Sequence, residues 1–369
     1  MKKILCLVVA VLLAVAVFAG CSGSTEPAGS EDASAQSSAS AETVGSESSG
    51  AASAAGNYPR GNGDDTLKIG FACMDMSNTF HATVAKYFEQ ECANRGIECM
   101  VLDDKFDGTT ATENCQLICD SDCDVYVSVM GFMVGDTLSD ICKEAGVLAI
   151  GMDQPIPDFP FFGADNVTAG YSAGEALAEA AIEKWGENPT IDLYIGLESL
   201  AGAEINDARM HEGMLEGIRS KVEVPDEIYV QCDVTNNDSQ VAMRWVEDTI
   251  NAHPEAEHIL IGGFVDDSGQ GAEAVIEKLG YQDKALIGTV DGSTLAINNF
   301  KNPDTAWVCS AALLPEMYGY YMLETLEPYL KGETDELPDS WNVPPVVITK
   351  DDYEQVLTDS IIYDDYQVG

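Results

Sequence analysis

Residues 66–95 read TLKIGFACMDMSNTFHATVAKYFEQECANR, and this stretch decides the fold. Residues 67–73 form a short apolar run, whereas residues 79–95 carry apolar side chains at nearly helical spacing. Those side chains are Phe80, Val84, Tyr87 and Phe88. We predict a strand and then a helix, joined by a polar turn in which Asn78 is placed to cap the helix.

The same alternation continues along most of the chain. Further strands are predicted at 98–102, 124–129, 147–152, 190–195, 227–231, 258–262, 285–290 and 305–310, and further helices at 169–185, 236–252 and 271–279. Repeated βα units build parallel sheets with helices on both faces. Runs such as Ile259-Leu260-Ile261 are continuously apolar, as burial of both faces of a sheet requires. The predicted class is α/β, and about 300 residues suit two domains.

The amino terminus has the pattern of a secretory signal. Met1-Lys2-Lys3 precedes an uncharged apolar run, which is too short for a membrane span of about 20 residues, so we predict a signal peptide at 1–20. The tetrapeptide Phe18-Ala19-Gly20-Cys21 resembles the bacterial lipobox, in which the Cys is lipidated. We therefore expect an extracytoplasmic protein anchored to the cell membrane through Cys21. Phe18 stands where Leu is usual, and secretion without lipid is the alternative.

Residues 21–65 are rich in Ser, Ala, Gly and Glu, with no aromatic residue before Tyr58. Such a composition buries too little apolar surface to offset the entropy of ordering the chain. We predict a disordered tether that connects Cys21 to the folded part.

The charge of the chain limits its partners. With 18 Lys and Arg against 63 Asp and Glu, the formal net charge is -45. This excess repels phosphate backbones and anionic lipid headgroups, so we exclude nucleic acid as a partner. Neutral or cationic small molecules fit the charge better than anions.

The number and spacing of the cysteines bear on whether the chain has a metal site. Removing Cys6 and Cys21 from the eleven cysteines leaves nine, an odd number, so at least one thiol is free or pairs between chains. Cys115, Cys119 and Cys123 follow at i, i+4 spacing, but no His is nearby in sequence and the CxxC spacing of zinc sites is absent. We predict no metal and no cofactor, and interpret these residues as small buried hydrophobic side chains, allowing for one disulfide.

Polar side chains recur where predicted strands end. Parallel sheets bind ligands beyond these carboxyl ends. Carboxylates there accept strong hydrogen bonds from hydroxyl groups, and an aromatic face suits the C–H surface of a ring. Each residue is alternatively a helix cap or a core side chain. The candidates are Asn78, Phe80, His81, Asp153, Gln154, Asp266 and Asp291.

Seven separated landmarks occur in an order that resembles a known family. They are Asn78-Thr79-Phe80, Met152-Asp153-Gln154, Gly163-Ala164-Asp165-Asn166, Arg209 before Gly213, Asp266-Asp267, Val290-Asp291-Gly292 and Leu314-Pro315-Glu316. This order is similar to that of the ribose-type sugar-binding proteins of bacterial ABC importers, over residues 66–350.

The resemblance implies two doubly wound parallel-sheet lobes joined by three hinge crossovers. The first lobe would contain residues 66–165 and 314–340, and the second 166–313 and 341–369. Ligand contacts would come from Asn78, Phe80, His81, Asp153 and Gln154 in the first lobe, and from Arg209, Asp266 and Asp291 in the second.

Three positions depart from the ribose binders. Gln154 replaces an Arg, Val265 replaces an Asn, and Leu313 replaces a hinge Gln. Unmatched buried polar groups cost about 1–3 kcal/mol each, so we expect a ligand other than D-ribose.

The resemblance implies an extracytoplasmic binding protein that captures a small neutral polar ligand, a sugar, and delivers it to an ABC importer permease as a monomer. We do not expect an enzyme, because no nucleophile elbow, HExxH, P-loop or dinucleotide-binding glycine loop after the first strand is recognised. Two alternatives keep the fold: a ligand sensor for a receptor kinase, and a binder of a nucleoside or furanosyl signal.

Overall fold

The computed structural model describes residues 58–61, 63, 66–199 and 203–368. In chain order the first elements are β1 (Lys68–Cys73), α1 (Thr79–Arg95), β2 (Glu98–Asp103), α2 (Gly108–Cys119), β3 (Val125–Ser128), α3 (Gly131–Ala145), β4 (Leu148–Met152), β5 (Phe161–Ala164), α4 (Asn166–Trp185), β6 (Leu193–Glu198) and α5 (Glu204–Asn206). Next come a π-helix (Asp207–Leu215), α6 (Glu216–Arg219), a 3₁₀ helix (Asp226–Ile228), β7 (Tyr229–Asp233), a 3₁₀ helix (Thr235–Asn237), α7 (Ser239–Ala252), β8 (Ile259–Gly263), α8 (Asp266–Leu279), β9 (Ala285–Asp291), α9 (Thr294–Phe300) and β10 (Trp307–Ala312). The remaining described elements are a 3₁₀ helix (Pro315–Met317), α10 (Tyr318–Leu330), β11 (Ser340–Val343), β12 (Val346–Thr349) and α11 (Tyr353–Ser360).

The first sheet has six strands in the order β11-β5-β4-β3-β1-β2, and its pairs are all parallel. Along its strands, side chains alternate between two apolar layers, one on each face of the sheet. Ile69 and Phe71 pack with α1 and α10 on one face, whereas Ala72 and Tyr126 pack with α2 and α3 on the other. This sheet and its helices are called the first lobe.

The second sheet also has six strands, in the order β12-β10-β9-β8-β6-β7. Its pairs are parallel except for β12, which runs antiparallel to β10. Ile195 and Ile261 pack with α7 and α8, and Tyr194 and Leu260 pack with α4 and the π-helix. This sheet and its helices are called the second lobe. The predicted α/β class with two doubly wound parallel sheets is confirmed.

The chain passes between the two sheets three times. It leaves the first sheet after β5, returns after β10, and passes to the second sheet again between β11 and β12, at Pro344-Pro345. The sequence-based division assigned 341–369 to the second lobe. Because β11 pairs with Phe161–Ala164, residues up to Val343 instead join the first sheet.

Both ends of the described chain also pack on the first lobe, which the sequence did not predict. Tyr58 was assigned to the tether, but its hydroxyl donates to Asp339 at 2.8 Å. After α11, the hydroxyl of Tyr363 donates to Glu91 on α1 at 3.0 Å, and Asp365 pairs with Lys86 at 3.0 Å. Tyr58 therefore packs on the first lobe, and the last described residues leave the second lobe.

The first βα unit shows why its sequence folds in this way. β1 is buried from Ile69 onward, because it lies between β2 and β3 and under helices on both faces. The side chain of Asn78 accepts from the backbone N–H of His81 at 3.2 Å, and Gly96 ends α1 with a φ of 71°. The predicted cap is confirmed.

No helix in the described residues is long and apolar enough to cross a bilayer. The predicted signal peptide at 1–20 and the predicted lipidation site Cys21 lie outside the described residues.

Candidate functional site

A cleft of about 590 Å³ lies between the two lobes. Its lining comes from the carboxyl ends of strands in both sheets, from the crossover after β10, and from the carboxyl-terminal segment. The lining includes Asn78, Phe80, Val265, Asp267, Asp291, Leu314, Glu316, Leu357 and Tyr366. Parallel strands bring these separate loops to one edge, which positions groups from both lobes around a single space.

Arg209 is the central cation of this region. The π-helix carries it, and only 5% of its surface is exposed. Its Nε and Nη2 donate to the side-chain oxygen of Asn166 at 3.0 and 2.7 Å, and its Nη1 donates to the backbone oxygen of Phe264 at 2.9 Å. The guanidinium also lies 4.2 Å from the centre of the Phe264 ring. These contacts hold the guanidinium plane fixed.

Arg209 keeps part of its hydrogen-bonding capacity. A guanidinium has five N–H groups, and three of them are used within the described residues. The carboxylate of Asp291 lies 4.0 Å from Nη1, which is too far for a hydrogen bond. Burial lowers the pKa of Arg209, and the charge of Asp291 opposes that change. Two N–H groups therefore remain unused within the described residues.

Asp153 is the matching acceptor from the first lobe. It follows β4 with a φ of 56°, and its Oδ1 accepts from the backbone N–H of Ala164 at 2.9 Å and from the hydroxyl of Tyr318 at 3.2 Å. Its Oδ2 makes no hydrogen bond within the described residues. Burial raises the pKa of Asp153 to about 6, although Ala164, Tyr318 and Arg209 act to lower it. Gly163 leaves the necessary space, because a Cβ there would lie 2.3 Å from Oδ1.

Asp266 and Asp291 have different environments. Asp266 is fully buried, and its oxygens accept from Thr289 at 2.6 Å, Ser310 at 2.8 Å, and the N–H and hydroxyl of Ser293 at 2.7 and 2.8 Å. Its acceptors are therefore filled by protein groups. This arrangement favours a positioning role over the ligand contact expected from the sequence.

Asp291 instead faces the cleft with 23% of its side chain exposed. Its φ of 130° is rare for a residue with a Cβ, and such strain concentrates at functional sites. Its Oδ2 accepts from the N–H of Asp266 at 3.3 Å. Burial, and next the charge of Asp266, raise the pKa of Asp291 to about 8. At neutral pH this carboxyl can therefore donate as well as accept.

The remaining first-lobe candidates divide into two groups. Asn78 and Phe80 line the cleft, and the ring of Phe80 meets Tyr318 edge-on at 5.6 Å between centroids. His81 meets the other side of Phe80 at 5.5 Å, and burial lowers its pKa. His81 and Gln154 are absent from the residues that line the cleft, as are Asp153 and Arg209. Asp153 and Arg209 adjoin the lining instead: Tyr318 contacts both Phe80 and Asp153, and Arg209 lies 4.0 Å from Asp291.

Sequence reasoning missed three contributors to this arrangement. Tyr318 orients Asp153, Asn166 orients Arg209, and Glu316 lines the cleft. Asn166 and Glu316 belong to landmarks that were recognised, and Tyr318 follows Glu316 by two residues. Their position beside crossovers was the available signal, since a crossover residue is close to both lobes.

One motif with the letters of a nucleophile elbow does occur, Gly170-Tyr171-Ser172-Ala173-Gly174. It lies within α4 rather than in a turn after a strand, and the hydroxyl of Ser172 donates to the backbone oxygen of Thr168 at 2.6 Å. Its glycines serve packing, since a Cβ at Gly170 would lie 1.9 Å from the backbone oxygen of Arg209. The motif therefore lacks the geometry that nucleophilic catalysis needs.

Comparison with known proteins agrees with this architecture. A family model described as a periplasmic binding protein domain matches residues 69–334. A search of curated protein sequences gives no match. Solved structures with similar folds are an ABC transporter solute-binding protein from Actinobacillus succinogenes with bound D-allose (19% identity, 78% of this chain and 99% of that chain covered, TM-score 0.62), one from Bacillus halodurans with bound myo-inositol (17%, 80% and 99%, 0.61), and a galactofuranose-binding protein (18%, 80% and 98%, 0.60).

The match over residues 69–334 covers five strands of each sheet and the helix after the second crossover, and it ends before β11 and β12. The similar structures are below 20% identity, so they bear on the fold and not on the ligand. By its family match and its two-sheet fold, the chain belongs to the periplasmic binding protein domain family.

Proposed function

We propose that this protein captures a small neutral polyhydroxy ligand, a sugar or a cyclic polyol, between its two lobes and delivers it to an ABC importer. The observation that carries the proposal is a pair of groups with unused hydrogen-bonding capacity, one in each lobe, which adjoin the cleft-lining residues Phe80 and Asp291. Asp153 in the first lobe has a free acceptor, and Arg209 in the second has free donors. A molecule that meets both groups joins the lobes.

The chemistry of the cleft supports a hydroxylated ligand. A hydroxyl group donates and accepts, which suits the acceptor of Asp153, the donors of Arg209 and the carboxyl of Asp291. Phe80 offers an apolar face for the C–H surface of a ring. Asp267 and Glu316 line the same cleft, so their negative charge disfavours an anion despite Arg209. The bound D-allose and myo-inositol of two similar structures are ligands of this class.

The proposed mechanism is a shift between open and closed arrangements of the lobes. A ligand that touches both sides favours the closed state by its differential affinity. The three crossovers would act as the hinge, because these short segments connect the two sheets. Leu314, in the second crossover, has a φ of 50°, a conformation rarely adopted by residues with a Cβ.

The family and the sequence support a proposal for the cellular setting. We propose that the mature protein is an extracytoplasmic monomer, held at the membrane by lipid on Cys21, and that its closed form docks on an importer permease. The acidic charge of the chain argues against nucleic acid as a further partner. Mass spectrometry of the membrane-extracted protein would test lipidation, since an unmodified Cys21 would contradict it.

We propose binding without catalysis. Family membership supports this reading, and Ser172, the serine of the Gly-x-Ser-x-Gly sequence, is bonded within its own helix. Recovery of an unaltered sugar after prolonged incubation with the protein is the expected result, and a converted product would contradict it.

The ligand class can be tested by thermal unfolding of the purified protein against pentoses, hexoses, cyclic polyols and nucleosides. A ligand that binds only the folded state stabilises it by about 2.7 kcal/mol at 100 times its Kd. We expect a shift with at least one sugar or polyol, reduced in Asp153→Asn and retained in Asp140→Asn, an exposed control on α3. A shift with nucleosides alone would overturn the sugar assignment, and the absence of any shift would oppose the binding proposal.

A further inference from the structure

A second cluster of reactive side chains lies in the first lobe, in the layer between the sheet and helices α2 and α3. Cys115 and Cys119 are one turn apart on α2, and Cys142 faces them from α3. The Sγ atom of Cys142 is 3.7 Å from that of Cys115 and 4.0 Å from that of Cys119. The three sulfur atoms all lie within 4.8 Å of one another.

We propose that Cys115, Cys119 and Cys142 bind one thiophilic metal ion, Cu(I) or Zn²⁺. Soft thiolate ligands select these ions over the hard cations that prefer oxygen. The site differs from the sequence series that ended at Cys123, because α2 ends at Cys119 and Cys123 does not join the group. Cys142 comes from another helix, where sequence spacing could not reveal it.

The sulfur spacing fits a shared ion. With a Zn–S distance of about 2.3 Å, two sulfurs of a tetrahedral site are separated by about 3.8 Å. The observed separations of 3.7 and 4.0 Å are within a few tenths of an ångström of this value. The third separation, between Cys115 and Cys119 on α2, is within 4.8 Å.

Tyr126 adds a buried polar group beside the cluster. Tyr126 on β3 is fully buried, and its hydroxyl makes no hydrogen bond of standard geometry among the described residues, although it lies close enough to Cys115 and Ser128 to interact with both. A thiolate accepts a stronger hydrogen bond than a thiol, so a metal-bound Cys115 would be the better partner for this hydroxyl.

The ion also has a route into the site. Cys115 and Cys142 are fully buried, whereas Cys119 is partly exposed at the outer edge of the cluster. Cys119 would therefore meet the ion first, and the two buried thiols would then displace its remaining water. The cluster packs against the face of the first sheet that carries α2 and α3, so its occupancy is separable from the cleft between the lobes.

Metal binding can be tested on the full chain after reduction and removal of bound metal. The protein would be titrated with Zn²⁺, and separately with Cu(I), in competition with a chromophoric chelator. We expect one equivalent to bind, with Cys115, Cys119 and Cys142 protected from alkylation as located by mass spectrometry. Cys142→Ser should weaken binding at least tenfold.

Two further variants keep the test decisive. Cys119→Ser changes the partly exposed ligand and should weaken binding even if Cys142→Ser disturbs folding. Cys232→Ser changes a buried thiol of the second lobe and should leave metal binding unchanged. Equal uptake by the wild type, Cys119→Ser and Cys142→Ser would overturn the proposal. A Cys115–Cys142 disulfide in the isolated protein, with no metal uptake after reduction, would overturn it as well.

Discussion

Replacement of Arg209 separates its two proposed tasks, holding the crossover and meeting the ligand. Arg209→Lys keeps the positive charge but loses the planar fork that reaches Asn166 and Phe264 together. Each hydrogen bond from a charged donor contributes about 1.5–3 kcal/mol. Loss of one such bond to the ligand, about 2 kcal/mol, should weaken affinity by roughly 30-fold.

Arg209→Ala should have a larger effect on both properties. It removes both N–H groups that are unused within the described residues, and loss of two such bonds to the ligand, about 4 kcal/mol, should weaken affinity roughly 1,000-fold. It also leaves the buried backbone oxygen of Phe264 without its donor, which should cost about 1–3 kcal/mol of unfolding free energy. The lysine variant should recover most of this stability, since an ammonium group can still donate to one acceptor.

The assay pairs calorimetric titration of the ligand with urea unfolding of the ligand-free protein. Arg95→Lys is a matched control, because Arg95 pairs with Glu91, Glu324 and Glu327 at 2.6, 2.7 and 2.9 Å on the first lobe. It should lower the free energy of unfolding and leave affinity unchanged. Wild-type affinity in Arg209→Lys would refute the assignment of Arg209 to the ligand.

Three further predictions concern stability. Burial raises the pKa of Asp153 to about 6 and that of Asp291 to about 8, so the folded ligand-free protein binds protons more tightly than the unfolded chain. The stability contributed by these two groups should therefore be full below about pH 4 and fall as the pH rises through 6 and 8. In urea unfolding, Asp291→Asn should flatten the upper part of this decline, and an unchanged slope would contradict the prediction. Gly170→Ala forces a Cβ against the backbone of the π-helix and should lower the free energy of unfolding by about 1–3 kcal/mol or more, as measured by thermal unfolding. Ser172→Ala should change it by no more than about 0.5 kcal/mol. Equal effects of the two substitutions would contradict the packing argument. Tyr363→Phe removes a hydrogen bond to Glu91 and should lower the free energy of unfolding in urea by about 1 kcal/mol. Tyr171→Phe, at an exposed position, should have no effect. An unchanged stability in Tyr363→Phe would argue against packing of the carboxyl-terminal segment on the first lobe.

Local sequence pattern was sufficient for most of the sheet framework. The run 67–73 and the helix 79–95 were predicted within one residue of the observed β1 and α1, because period, apolar content and the Asn78 cap agree. The strand predicted at 190–195 is instead Leu193–Glu198, which shows how weakly a strand start is marked. β5, β11 and β12, of four residues each, were missed, although the equally short β3 was predicted.

A site residue could be predicted only where its neighbours in the sequence determine its role. Asp153 and Asp291 were found from their place at strand ends, and Arg209 from the resemblance. The filled hydrogen bonds of Asp266 depend on Thr289, Ser293 and Ser310, which lie 23 to 44 residues away, so no local pattern distinguishes it from Asp291.

Contacts between distant segments explain the other gaps. Cys142 meets Cys115 across 27 residues, and Tyr363 meets Glu91 across 272. Neither pairing leaves a spacing signal in a single chain. Both follow from the packing of α3 on α2 and of the carboxyl-terminal segment on α1.

The central claim is that one ligand is held by both lobes at once. The most direct measurement is calorimetric titration with the sugar or polyol that most stabilises the protein, on the wild type, on Asp153→Asn in the first lobe and on Asp291→Asn in the second. We predict at least a tenfold loss of affinity in each variant and none in Asp140→Asn. Loss in only one of the two lobes would contradict the claim, because the ligand would then be bound by that lobe alone.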